Sequence, residues 1–143
     1  MENFGISMLW FFTGMVAVTV VGILHTCFNI CVLKMSSMDK NNKDDKGEGY
    51  RKTKPWHPLY NIILFSLFGW LYMNGLQTPT IHGALITGLI WAGVCIVIDL
   101  FGWVIIKHPW SLSIKGFYVD YQPWITLIYI AIFAGPVVGY LLV

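Results

Sequence analysis

Four continuously apolar runs, about residues 6–33, 59–76, 81–106 and 124–143, leave this sequence few ways to fold. A hydrocarbon layer of roughly 30 Å is crossed by about 20 helical residues, so each run is long enough to span it, the second with little to spare. Strands of a barrel would alternate apolar and polar positions, which these runs do not. In lipid a helix satisfies its own backbone hydrogen bonds. The expected fold is therefore all-α and integral to a membrane: a single four-helix domain over residues 1–143, built from two helical hairpins. Composition agrees, since hydrophobic residues make up 57% of the chain and charged ones 11%, against about 45–50% and about 25% in soluble domains.

Charge sets the orientation. The segment 34–58 carries Lys34, Lys40, Lys43, Lys46, Arg51, Lys52 and Lys54, and the segment 107–123 carries Lys107 and Lys115. The turn 77–80 and both tails contain no Lys or Arg. Short cytoplasmic loops collect such residues, which predicts both ends outside and both basic segments inside. Aromatic belts fit: Trp56, Tyr60, Trp103, Trp110 and Trp124 at the inner boundary, and Trp10, Trp70, Tyr72 and Tyr140 toward the outer one. The hydrophilic stretch from Lys34 to Lys54, in which Asp39, Asp44, Asp45 and Glu48 offset the basic residues, reads as a mobile loop without apolar periodicity. Residues 107–123 mix Trp110, Phe117, Tyr118 and Tyr121 with charges and belong at the interface, either as a short helix or as a folded-back loop.

Cys27, Cys31 and Cys95 lie inside apolar runs and spell out neither a disulfide framework nor a zinc site. No cofactor fingerprint, metal-ligand spacing or catalytic signature is present, so cofactors stay unassigned, no metal is expected, and nucleic-acid binding has no support. A shift of 68 residues aligns Pro55, Trp56, Leu59, Ile62, Phe65 and Tyr72 with Pro123, Trp124, Leu127, Ile130, Phe133 and Tyr140, which raises an internal duplication of hairpins as an option. Pro136 predicts a kink in the last helix. Trp91 needs a partner for its indole N–H, and Thr87 is the nearest on its own helix.

The polar residues inside the spans carry the functional reading. Asp99 shares a face with Ala84, Gly88, Ala92, Cys95 and Gly102, and His25 shares one with Gly14, Gly22 and Asn29. Counted back from Leu33 and Ile106, His25 and Asp99 come out level, about 10–12 Å inside the boundary. They are therefore expected to interact, directly or through water, in an ion or ligand site with Asn29 and Asn61. His57, His108 and Asp120 are interfacial candidates; were the two histidines brought together, they would suit a transition metal or the edge of a haem or quinone.

The leading expectation is a small polytopic protein that binds or translocates a small ion or solute, as a homo-oligomer or complex subunit, in a bacterial cytoplasmic membrane. Two alternatives accompany it. One is an accessory, regulatory or immunity-type protein that binds another membrane protein, and the other is a membrane enzyme acting on lipid or quinone at the cytoplasmic face.

Overall fold

The computed structural model describes residues 3–37, 47–108 and 111–143. Lys40, Lys43, Lys46, Asp39, Asp44 and Asp45 of the first basic segment, and Trp110 of the second, lie outside the described residues.

The chain is helical, with no strand among the described residues. Helix α1 covers Phe4–Cys31, α2 covers Gly47–Thr53, and a 3-10 turn, Lys54–Trp56, leads into α3, His57–Asn74. After a turn, α4 covers Ile81–Asp99 and passes into a π-helical stretch, Leu100–Ile105. The short α5, Ile114–Tyr118, precedes α6, Trp124–Leu141. Three helices are long and apolar enough to cross a membrane: Phe4–Cys31, Ile81–Ile105 and Trp124–Leu141. The 18-residue α3 is less apolar, because it carries His57, Pro58, Asn61 and Asn74.

The helices lie side by side in the order α1, α3, α6, α4, with α3 and α6 sharing the largest contact and α1 touching α4 at only a few residues. Glycine explains that order. A Cβ on Gly69 would come within 2.7 Å of the Gly135 carbonyl oxygen, and one on Gly139 within 2.3 Å of the Trp70 nitrogen, so α3 and α6 meet backbone to backbone. On α4, a Cβ on Gly88 would meet the Phe133 carbonyl oxygen of α6 at 2.2 Å. On α1, Gly14 lies against the Phe65 ring of α3. The small-residue faces of α1 and α4 are thus spent on α3 and α6 respectively, not on each other.

The α3–α6 contacts pair residues 66 to 70 positions apart, from Gly69–Gly135 to Phe65–Gly135. The 68-residue shift seen in the sequence is therefore the register at which these two parallel helices pack. Helices α1 and α4 meet at a different offset. The Trp91 indole donates to Ser7 Oγ, 84 positions away, at 3.0 Å, and Cys95 Sγ lies 3.8 Å from Met15 Sδ, 80 positions away. Trp91 is fully buried among Phe11, Phe65 and Tyr72. Its partner is Ser7 of another helix, in place of the Thr87 hydroxyl expected from its own helix.

All described basic residues, Lys34, Arg51, Lys52, Lys54, Lys107 and Lys115, fall at one end of the bundle, and the 75–80 turn, Asn3 and Val143 at the other. These are called the basic and neutral ends below. The expectation of an unstructured loop from Lys34 to Lys54 is corrected for its second part. Gly47, at φ 82°, turns the chain so that α2 docks on α1. Of the two options for 107–123, a short helix or a folded-back loop, the described residues contain a short helix, α5, whose Ser113 hydroxyl accepts from the Gly116 N–H at 2.9 Å.

Candidate functional site

Asp99 sits in the last turn of α4, 8% exposed. Tyr129 of α6 donates its hydroxyl to Asp99 Oδ2 at 3.0 Å, and the Cys95 thiol, one turn earlier, lies 3.6 Å from the same oxygen. Both are neutral donors. Among the described residues no Lys, Arg or His side chain bonds to this carboxyl.

His25 is elsewhere. Its Nδ1 pairs with the Tyr60 hydroxyl of α3, and its ring packs edge-on against Trp56 and Tyr60. The expected direct His25–Asp99 pair is not formed, and register gives the reason. Where α1 and α4 touch, partners are 80 to 84 positions apart, whereas His25 and Asp99 are separated by 74. That shortfall displaces them by about 9–15 Å along the helix axes at about 1.5 Å per residue. Asp99 is level with the turn between Met15 and Thr19, where α1 offers no titratable group. Counting back from the helix ends had assumed flush ends; α1 instead projects beyond α4 at the basic end.

Asn29 and Asn61 also have separate roles. Asn29, 3% exposed, donates Nδ2 to the Gly49 carbonyl at 3.0 Å and to Thr53 Oγ1 at 3.1 Å, which ties α2 to α1. Thr26 adds a bond to Thr53 Oγ1 at 3.2 Å, and the Gly49 N–H donates to the Ser36 carbonyl at 3.2 Å. Asn61 donates Nδ2 to the His57 carbonyl on its own helix at 2.8 Å.

His57 forms the centre of a second cluster. Its Nδ1 pairs with the Tyr121 hydroxyl, and its ring lies beside Tyr50, Tyr60 and Tyr121. The Tyr121 ring is stacked on Phe117. Lys54 reaches over this cluster, its ammonium 4.7 Å from the Tyr121 ring centre and 5.5 Å from that of Tyr50. Burial pushes both tyrosine hydroxyls above their ordinary acidity range, Tyr50 and Tyr121 also interacting with each other and with the Asp99 charge. Burial lowers the Lys54 ammonium, the nearby Asp120 carboxylate opposes that, and Arg51 adds to it. Asp120 itself is exposed.

His108 turns back on its own chain, with Nε2 donating to the Gly102 carbonyl at 2.7 Å and its ring against Trp103, so it does not join His57 in a shared metal position. Among the described residues no three His, Cys, Asp or Glu side chains gather as metal ligands would. At the neutral end a cleft of about 360 Å³ is lined by Tyr72, Thr80, His82 and Thr87 among others. No carboxylate lines it, and Trp91, packed on Tyr72, lies between Thr87 and Asp99 along α4.

The tyrosines were the residues that sequence reading missed. Tyr60 and Tyr121 read as interfacial aromatics, and nothing in their spacing shows a histidine opposite. The Cys95–Asp99 contact was visible as an i, i+4 pair; Tyr129 was not, because it required knowing that α6 and not α1 packs on α4. No family model matches the chain, and no curated protein or solved structure matches it either.

Proposed function

We propose that the chain is a single-domain protein of the cell membrane, crossing it four times with both ends outside, that binds or translocates a small cation or proton at Asp99 as a homo-oligomer or as a subunit of a larger complex. One observation carries this: a carboxyl buried in a membrane-spanning helix has only neutral partners. A charged Asp at the centre of a span costs about 2.5–3.5 kcal/mol on insertion scales; Asp99, nearer the end of its span, bears part of that cost, and a Tyr hydroxyl and a thiol offset it without cancelling the charge. A proton or a cation supplied from outside the chain completes the site. Separation of His25 from Asp99 strengthens the reading, since the bland alternative, an internal ion pair that only pins helix register, has no partner to form it.

Access favours the basic end. Toward the neutral end Asp99 is shut off by Trp91, Phe11 and Phe65, whereas toward the basic end it meets hydroxyls and the wide π-helical turn. The test reconstitutes the purified chain into liposomes with a trapped pH indicator and applies sodium or potassium gradients. Asp99→Asn is expected to slow proton or cation flux at least ten-fold, while Glu48→Gln, at an exposed position, leaves it near wild type. Equal flux in wild type and Asp99→Asn would sink the reading.

A second reading, an accessory protein that docks on another membrane protein, is favoured by α1. This longest helix leaves Leu9, Val16, Ile23 and Leu24 exposed. On that reading Asp99→Asn spares partner binding and bulky substitutions along α1 abolish it.

A further inference from the structure

Lys54 occupies an unusual position for an ammonium. It has three N–H donors, yet among the described residues it makes no hydrogen bond; two ring faces and the Asp120 carboxylate favour a cation there, and the neighbouring Arg51 opposes one. We propose that the rings of Tyr50 and Tyr121, with Asp120 beside them, form a binding site for a methylated ammonium cation, and that the Lys54 side chain is its resident, displaceable occupant.

The chemistry of the site selects that class. A primary ammonium is compact and strongly hydrated, and it is best held by oxygen acceptors. Ring faces within about 6 Å attract a cation through the quadrupole and ask for no N–H donor, so a quaternary or methylated nitrogen fits them without leaving donors unmet. Burial lowers the Lys54 ammonium despite the neighbouring carboxylate, so the chain's own cation is held there against a desolvation cost.

The rings are preset. Tyr121 is 4% exposed, fixed by its hydroxyl on His57 and by its stack on Phe117. Tyr50 lies in α2, which Asn29 and Thr26 anchor to α1 through Gly49 and Thr53. Lys54 itself belongs to the 3-10 turn Lys54–Trp56, so rotation about its side-chain bonds vacates the cage with no backbone change. The cage also stands at the basic end, on the side from which Asp99 is approached, and the Asp99 charge acts on both tyrosines. The inference therefore deepens the reading above by naming the cation class at the mouth of that site. It depends on that reading for the cation's destination and not for its binding.

The test is calorimetric titration of tetramethylammonium chloride into the purified full chain in detergent, with lithium chloride as the ionic control. Lys54→Gln is expected to bind at least ten-fold more tightly than wild type. In the Lys54→Gln background, Tyr121→Leu is expected to abolish binding. Because that change also breaks the bond to His57, Tyr50→Leu and Asp120→Asn are measured beside it, and each is expected to weaken binding at least five-fold. Equal affinity in wild type and Lys54→Gln, or unchanged affinity in both Tyr50→Leu and Asp120→Asn, overturns the proposal. Asp99→Asn in the Lys54→Gln background separates the two claims: cage binding persists whether or not flux in liposomes depends on Asp99.

Discussion

At the neutral end Trp91, Phe11 and Phe65 pack α1, α3 and α4 together, and the polar contact among them, Trp91 to Ser7, is buried. At the basic end the contacts are polar: Tyr60 pairs with His25 and Tyr121 with His57, Tyr50 lies beside His57, and the short helix α2 docks on α1. The contrast is between contact by shape and contact by polar pairing. Close-packed apolar contacts tolerate little rearrangement, whereas hydrogen-bonded side chains exchange partners with water or a ligand at modest net cost.

That contrast breaks most sharply at Trp91. Trp91→Ala is expected to cost about 3–5 kcal/mol, measured by denaturant titration in micelles, and to admit water from the neutral end. A loss below about 1 kcal/mol would mean that the apolar seal is not what holds α1 to α4. Next in size is Asn29→Ala, expected to cost about 1–3 kcal/mol by removing the two hydrogen bonds through which α1 holds Gly49 and Thr53 of α2. Limited trypsin digestion should then cut after Arg51 or Lys52 much faster than in wild type, with the helical core intact. Unchanged cleavage would show that α2 is held by other contacts.

The smallest effect is a pH dependence. Lys54 titrates below its ordinary value of 10.5 in the folded chain because of burial, so between its folded value and 10.5 the unfolded chain holds more protons and stability rises with pH. Tyr50 and Tyr121 act oppositely: their hydroxyls stay protonated in the folded chain above 10.0, where the unfolded chain releases protons, so stability falls beyond that pH. Melting temperatures from pH 8 to 11 should rise and then fall, and Lys54→Met should remove the rise alone. A rise that persists in Lys54→Met assigns it to some other group.

Much of the architecture was legible in the residues. The apolar runs 6–33, 59–76, 81–106 and 124–143 lie within about two residues of helices α1, α3, α4 with its π-helical extension, and α6. Helix α2 was hidden because it docks by glycine approach and side-chain amide bonds to backbone, neither of which produces an apolar stripe. The proposed site was half legible. Asp99 was identifiable as an acid on a small-residue face, but its neighbours depended on which faces paired, and Gly88 and Gly14 are equally suited to several partners until backbone geometry chooses Phe133 and Phe65. The His25 placement failed for a simpler reason, since helix ends need not lie in one plane.

The buried indole between Phe11, Phe65 and Tyr72 has a consequence for throughput. The packing of Phe11, Phe65 and Trp91 stands between the neutral end and Asp99, so on the reading proposed above an ion bound at Asp99 would leave by the end through which it entered. Net passage would then need the first helix to swing away from the indole once per event. Turnover would be paced by that backbone stroke, in the manner of a carrier, and would saturate at low ion concentration where a pore would not.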